Sequence, residues 1–305
     1  MNIDPQYLAV VFNSTIRMTT PILFVALGSA YCNRVFIFNI GLEGMMLTGA
    51  FTAIVANFYT QSVTLSLLAA MLSSMLIAFV AGMFMVKFKG AMLVVGISIN
   101  ILMSGFTTYM MQIVFNVKGA FVNSDLVSLP KVDVSFLRGV PVLQIMFSAL
   151  TYVDLFAFVA AIILYFFLFR TVTGFHMRSV GINKEAAESM GIKAERIQIL
   201  TITFSGLLSG IGGCLLTMGG VTMFAQNITA GRGFIAMAAG TLGAAHPLGV
   251  IASSSFFGFA QSVANMLQNS AISSELTMAL PYLSTIAALA LYNYMQIKRG
   301  GIIRS

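Results

Sequence analysis

The sequence predicts an all-α fold, a polytopic bundle of transmembrane helices, on three observations. Hydrophobic residues fill 58% of the 305 positions and charged residues only 8%, where a soluble domain carries roughly 25% charged residues. Apolar runs at 7–31, 62–86, 154–169 and 278–294 approach or exceed the ~20 residues that cross ~30 Å of hydrocarbon. The chain therefore reads as one domain over residues 1–305 with about nine spans.

Taken in order, the first apolar stretch, 8–32, follows an N-terminus without a basic region or a small-residue cleavage site, so it reads as a retained helix. Further spans are expected at 42–60, 62–86, 91–116, 151–170, 198–221, 233–248, 249–270 and 278–297. Arg170, Arg178, Lys184, Lys193 and Arg196 crowd one loop, while Lys87 with Lys89, and Lys298 with Arg299 and Arg304, mark two other ends. Cytoplasmic loops carry the excess of Lys and Arg. That rule puts 171–197 inside, the N-terminus outside, and the long connection 117–150 outside. The net charge of +7 is explained the same way, and nucleic acid is not an expected partner.

Two spans are unusual. Residues 42–60 and 233–248 are short, and each opens on a glycine cluster bearing a charge, Gly41-Leu42-Glu43-Gly44 and Gly231-Arg232-Gly233. Short, glycine-interrupted segments at matching places in two halves are the trace of an inverted repeat whose broken helices meet near the bilayer midplane. A pair of ordinary tilted helices is the alternative. Charged and amide groups inside lipid persist where they face a water-filled path or a partner. Asn39 and Glu43, four apart and on one helical face, are therefore candidates for a solute route, as are Ser98 and Asn100. The competing readings are an interhelical hydrogen bond for Asn100 and a charge at a helix N-terminus for Glu43. Phe224 is a possible lid or stacking platform, or else an interfacial anchor. Arg232 could guide an anionic group, pair with Glu43 or snorkel to the surface. The glycines of 205–213 read as close helix packing.

In the basic loop, Glu185-Ala186-Ala187 is followed by Gly191. Alanine and glutamate favour a short helix and glycine suits its end. With small residues on one face, such a helix could enter a groove on another protein. Chemistry of other kinds finds no support. Cys32 and Cys214 stand in apolar segments without a neighbouring ligand, so neither a disulfide nor a metal site is expected and both read as buried packing residues. His176 and His246 belong to no acid–base constellation, and no Walker loop, His-Glu-x-x-His or Gly-x-Ser-x-Gly occurs. The chain reads as a non-enzyme without catalytic residues or a cofactor.

Six stretches carry a resemblance to a family. They are Thr20 through Gly28, Asn39-Ile40-Gly41-Leu42-Glu43-Gly44-Met45-Met46 through Phe51, Val94-Val95-Gly96-Ile97-Ser98-Ile99-Asn100, Val180 through Gly191, Gly231-Arg232-Gly233-Phe234-Ile235-Ala236, and Pro247-Leu248-Gly249 with Gly258-Phe259-Ala260-Gln261. In this order the chain resembles the integral permease of ATP-binding-cassette importers, in the branch serving nucleosides, simple sugars and, more distantly, branched-chain amino acids. The resemblance implies a location in the bacterial inner membrane, a separate ATPase subunit, a second permease subunit, commonly a different one, and an extracytoplasmic substrate-binding lipoprotein. It also implies that Glu185, Ala186, Ala187 and Gly191 couple the chain to the ATPase. The Ile-x-Leu-Pro that usually follows that glycine is missing here. By resemblance the solute is a nucleoside, a purine nucleoside first. The contrasting class, an ion-coupled secondary transporter, favours chained intramembrane carboxylates, and only Glu43 and Asp154 are available.

Overall fold

The computed structural model describes residues 5–133, 141–267 and 290; the expected span at 278–297, the basic residues 298, 299 and 304, and the first four residues lie outside them. The described chain is dominated by helices: α1 (Pro5–Arg34), α2 (Leu42–Thr60), α3 (Val63–Gly82), α4 (Met92–Phe115), α5 (Pro141–Phe147), α6 (Tyr152–Arg170), α7 (Val172–Ile182), α8 (Lys184–Ser189), α9 (Ala194–Met218), α10 (Arg232–Leu242) and α11 (Pro247–Leu267). Strands β1 (Ala120–Val122) and β2 (Met223–Ala225) form one antiparallel ribbon, with Phe121 opposite Phe224.

Among the described residues six helices are long and apolar enough to cross a membrane: Gln6–Arg34, Val63–Lys87, Met92–Phe115, Tyr152–Arg170, Ala194–Met218 and Pro247–Leu267. The chain is thus a multi-pass membrane protein. The nine expected spans reduce to these six within the described region, because 42–60 and 233–248 correspond to α2 and α10, which are not among them, and 278–297 falls outside it.

Helix α9 packs against α2 and α3, and α1 packs against α10 and α11; α1 and α9 also pack on each other. Small residues permit this closeness, since without water to drive association membrane helices gain from backbone approach. Gly206 and Gly210 of α9 lie against the Ala70–Ser74–Ala78 edge of α3, and Gly213 meets the Met46 carbonyl of α2. Cys32 and Cys214 are free and buried in this core.

The ends of the helices fix their directions. Gln198 near the start of α9 donates to the Val35 carbonyl just beyond α1, at 3.1 Å. At that same end Arg34 donates from Nε and Nη2 to the carbonyls of Ala245 and Ala244, at 2.7 and 3.3 Å, and so holds the turn that follows α10. Asn57 near the end of α2 donates to the Val127 carbonyl at 2.7 Å and lies 3.5 Å from the sulfur of Met218, at the opposite end of α9. Helices α2 and α10 therefore start near one point and run to opposite ends of the bundle.

Candidate functional site

That point is built from loop 35–41, the first turns of α2 and α10, and α4. Asn39 opens it with an Asx turn: the Gly41 amide donates to Asn39 Oδ1 at 3.1 Å, and Asn39 Nδ2 donates to Ser205 Oγ of α9 at 3.0 Å. The start of a helix leaves several amides without partners. Asn100 of α4 supplies one, accepting from the Gly44 amide at 2.8 Å, while its Nδ2 donates to the Ile40 carbonyl at 2.9 Å. One turn earlier, a Cβ on Gly96 would stand 2.8 Å from Ile40 Cβ and 3.0 Å from the Gly41 nitrogen. Gly96 and Asn100 together clamp the break before α2, which explains their spacing.

Glu43 performs the equivalent service for α10. Its Oε1 accepts from Thr229 Oγ1 at 2.5 Å and from the Gly231 amide at 2.9 Å, and Oε2 accepts from the Gly233 amide at 2.6 Å. A carboxylate at a helix N-terminus meets both free N–H groups and the positive end of the dipole. The sequence permits this locally because Gly231 sits at φ 78°, where an L side chain is strained. It permits it spatially because a Cβ on Gly233 would fall 2.5 Å from Glu43 Cα. Glu43 is only 8% exposed. Arg232 turns its Nη1 to the carbonyls of Ile228 and Thr229, at 3.1 and 3.3 Å.

Of the five residues singled out for a solute route, the structure brings Asn39, Glu43 and Asn100 together, but as braces whose side chains bond to protein. Ser98 lies on the exposed outer side of α4. Phe224 is not an accessible ring: it is fully buried, edge-on to Phe51 at 5.3 Å between centroids. The ribbon turns it inward, so it packs the core and neither caps nor stacks. Sequence reasoning misses Thr229 and Ser205 as members of this junction. One signal was available, because Thr229-x-Gly231 has the spacing of Asn39-x-Gly41.

In the basic loop, Asn183 caps α8 by accepting from the Ala186 amide at 3.0 Å. Gly191 ends it in the left-handed region, φ 81°, with the Ile192 amide returning to the Ala187 carbonyl at 3.1 Å. Ala187 points into its own chain, 4% exposed, against Val180 and Ala194. This corrects the expectation that Ala186 and Ala187 share an outward face, since adjacent helical positions stand ~100° apart. Glu185 and Ala186 are exposed, beside the bare side chains of Ile182 and Met190. These last three residues, with Phe175 and His176, edge a shallow depression of about 440 Å³.

The described chain is thus a multi-pass membrane bundle in which two short helices start against each other, with an exposed apolar face on a basic loop. The chain belongs to the family described as branched-chain amino acid transport system / permease component, whose model matches residues 11–289. It is 34% identical to the guanosine ABC transporter permease protein NupQ of Bacillus subtilis (strain 168), covering 85% of this chain and 82% of that protein. It is 30% identical to the nucleoside ABC transporter permease protein NupC of Lactococcus lactis subsp. cremoris (strain MG1363), covering 96% and 94%. A second guanosine ABC transporter permease protein of the same Bacillus strain, NupP, is 27% identical over 80% of this chain and 70% of its own length. Among solved structures, an inward-facing ABC transporter assigned to the metal-chelate type matches with a TM-score of 0.50 at 16% identity, over 97% of this chain and 90% of that one. This last likeness bears on the fold alone.

Proposed function

We propose that this chain is one permease subunit of an ATP-driven importer in the bacterial inner membrane, and that its solute is a nucleoside, a purine nucleoside first. The relatives named for guanosine and nucleosides support the solute class, at identities that span most of both chains. The presence of NupQ and NupP in one strain supports a core of two different permeases. Helix pairing supports the inverted repeat: α1 with α10 and α11 repeats α9 with α2 and α3. In this reading residues 171–197 form the cytoplasmic coupling loop and 117–150 lie on the far side, where a substrate-binding lipoprotein docks.

The observation that carries the ATP-driven reading is the apolar face of Ile182, Ala186 and Met190, on a loop with four cations, in a sequence without a phosphate-binding loop of its own. Work done by a cassette elsewhere must enter the chain through such a face, as a coupling free energy between two sites. Glu185 and Ala186 make the contact, while Ala187 and Gly191 shape the helix that presents it.

The test is uptake of tritiated guanosine by proteoliposomes holding the chain with a cognate ABC ATPase and second permease, with the substrate-binding lipoprotein supplied outside. ATP-dependent accumulation is expected, and guanosine is expected to outcompete ribose and leucine. Accumulation driven by a proton or sodium gradient alone would return the chain to the secondary transporters. Ala186→Arg should cut stimulated ATP hydrolysis about tenfold or more while the complex still assembles, because a charge enters a desolvated contact. Unchanged hydrolysis would remove α8 from the coupling path.

A further inference from the structure

Beside the depression next to α8 lies a second basin, of about 390 Å³, lined among others by His176, Gly191, Lys193, Arg196 and Ile197. It shares His176, Met190 and Ile192 with that depression, and at Ile197 it adjoins an apolar groove of about 360 Å³. The groove is the space that α6 and α9 leave in front of α1, which packs on both. Ile163 and Phe167 of α6 form one wall, Leu200 and Phe204 of α9 the other, and Tyr31 of α1 the floor. Tyr31 turns only its ring to the space: its hydroxyl donates to the Leu164 carbonyl at 2.5 Å, and the ring centroid lies 6.3 Å from that of Phe167 and 5.8 Å from that of Phe204. The walls stay open to the outside of the bundle, Leu200 being 67% exposed.

The basin has the opposite character. Lys193 and Arg196 are both exposed, and neither pairs with a carboxylate among the described residues. At ~100° per residue both fall within about 40° of Leu200, two turns and one turn before it, so they stand over the open wall of the groove. Glu195 falls ~140° from Leu200, on another side of α9. On the facing wall Arg170, also exposed and without an ion-pair partner among the described residues, stands two turns beyond Ile163 and ~20° from it. Thr173 lines the groove at this same end, with a hydroxyl that has no hydrogen-bond partner among the described residues. Three cations thus surround the mouth of an apolar slot.

A soluble ATPase can fill the depression beside α8, but not a slot whose walls are the outer flanks of two spanning helices. An amphiphile with an anionic head fits both parts. Cytoplasmic leaflets carry anionic lipids, and basic pockets between spanning helices on that side bind their headgroups. We propose that the groove between α6 and α9 is a binding site for one anionic phospholipid of the inner leaflet. An acyl chain lies on Tyr31 between Phe167 and Leu200, and the phosphate is held by Lys193 and Arg196, with Arg170 on the facing wall. The site rests on the orientation that puts 171–197 in the cytoplasm and is independent of the solute. Because His176, Met190 and Ile192 border both the basin and the depression, the lipid stands directly beside the face assigned to the ATPase.

The experiment strips the complete transporter of lipid in detergent and titrates it with tritiated dioleoylphosphatidylglycerol, reading the label that co-elutes with the complex on gel filtration. A saturable component of one lipid per copy of this chain is expected. Dioleoylphosphatidylcholine should displace it at least about tenfold less well than unlabelled phosphatidylglycerol. Glycerophosphoglycerol, the same head without acyl chains, should not displace it. Lys193→Gln combined with Arg196→Gln should weaken the saturable component about tenfold or more. Lys118→Gln combined with Lys131→Gln, an equal loss of exposed charge, should leave it unchanged. Label that never saturates, or saturable binding that survives the change at 193 and 196, would overturn the proposal. So would displacement by glycerophosphoglycerol as effective as by the whole lipid, which would leave an anion site without a chain groove. If the variant at 193 and 196 released the ATPase or the second permease while keeping its lipid, the basin would belong to that interface and the lipid site would fall.

Discussion

The two helix starts that meet inside this protein are capped by different chemistry. At α2 the partner is neutral Asn100, which accepts from Gly44 and donates to Ile40. At α10 it is Glu43, which only accepts, from Thr229, Gly231 and Gly233. The difference follows from the backbone before each helix. Loop 35–41 leaves a carbonyl as well as an amide unpaired, so a side chain able to do both suits it. The turn through Gly231 has its Ile228 and Thr229 carbonyls met by Arg232 and turns only donors to Glu43, and a carboxylate, an acceptor on both oxygens, suits that. The identity of a buried polar residue here is thus dictated by the loop it serves, and the two caps should tolerate change very differently.

The largest effect is expected from Glu43→Ala, which leaves three donors buried and unmet. Each buried donor left without an acceptor costs about 1 to 3 kcal/mol, and with three of them the variant should give little monodisperse protein on detergent gel filtration. Next comes Gly233→Ala, whose methyl would stand 2.5 Å from Glu43 Cα; overpacking of this kind costs about 1 to 3 kcal/mol and should lower the melting temperature clearly. Asn100→Ala should cost about 1 to 3 kcal/mol, less than Glu43→Ala, with Asn100→Asp recovering the bond from Gly44 only. If Asn100→Ala proved the more damaging of the first and third, the contrast between the two caps would be refuted.

The smallest effect concerns the far end of α10. His246 has its pKa lowered by burial and then by the charge of Arg34. The folded state therefore favours the neutral ring, so the unfolded chain binds the proton first as pH falls. Stability should be level above the usual histidine value of ~6.5 and decline below it. His246→Gln should flatten that decline in a melting series from pH 7.5 to pH 5, and an unaltered slope would exclude the histidine.

Much of this is legible in the sequence, to a limit set by directionality. Glycine beside charge in a lipid-bound chain marks 41–44 and 231–233 as places where backbone is interrupted, and the structure puts them together. Periodicity carries no information on which side chain reaches which amide, so Glu43 reads equally as a lining group and as a cap. The same limit governs α8. Composition places a helix there, but Ala187 is withdrawn and Ala186 shown only because Val180 and Ala194 close over one side of it. Phe224 misleads for a related reason: a ring near polar loop residues looks accessible until β2 pairs with β1 and carries it against Phe51. Ser98 and Asn100 are equally polar in the sequence, and only the packing of α4 turns one outward and the other to the junction.

One mechanical consequence follows from how α10 is held. Its first turn is tied to α2 through Glu43, and the carbonyls of Ala244 and Ala245 just beyond its end to α1 through Arg34, so an eleven-residue rod is held near both tips. A rod held in this way is braced against swinging as a flap, and a shift of α2 or of the end of α1 reaches it directly.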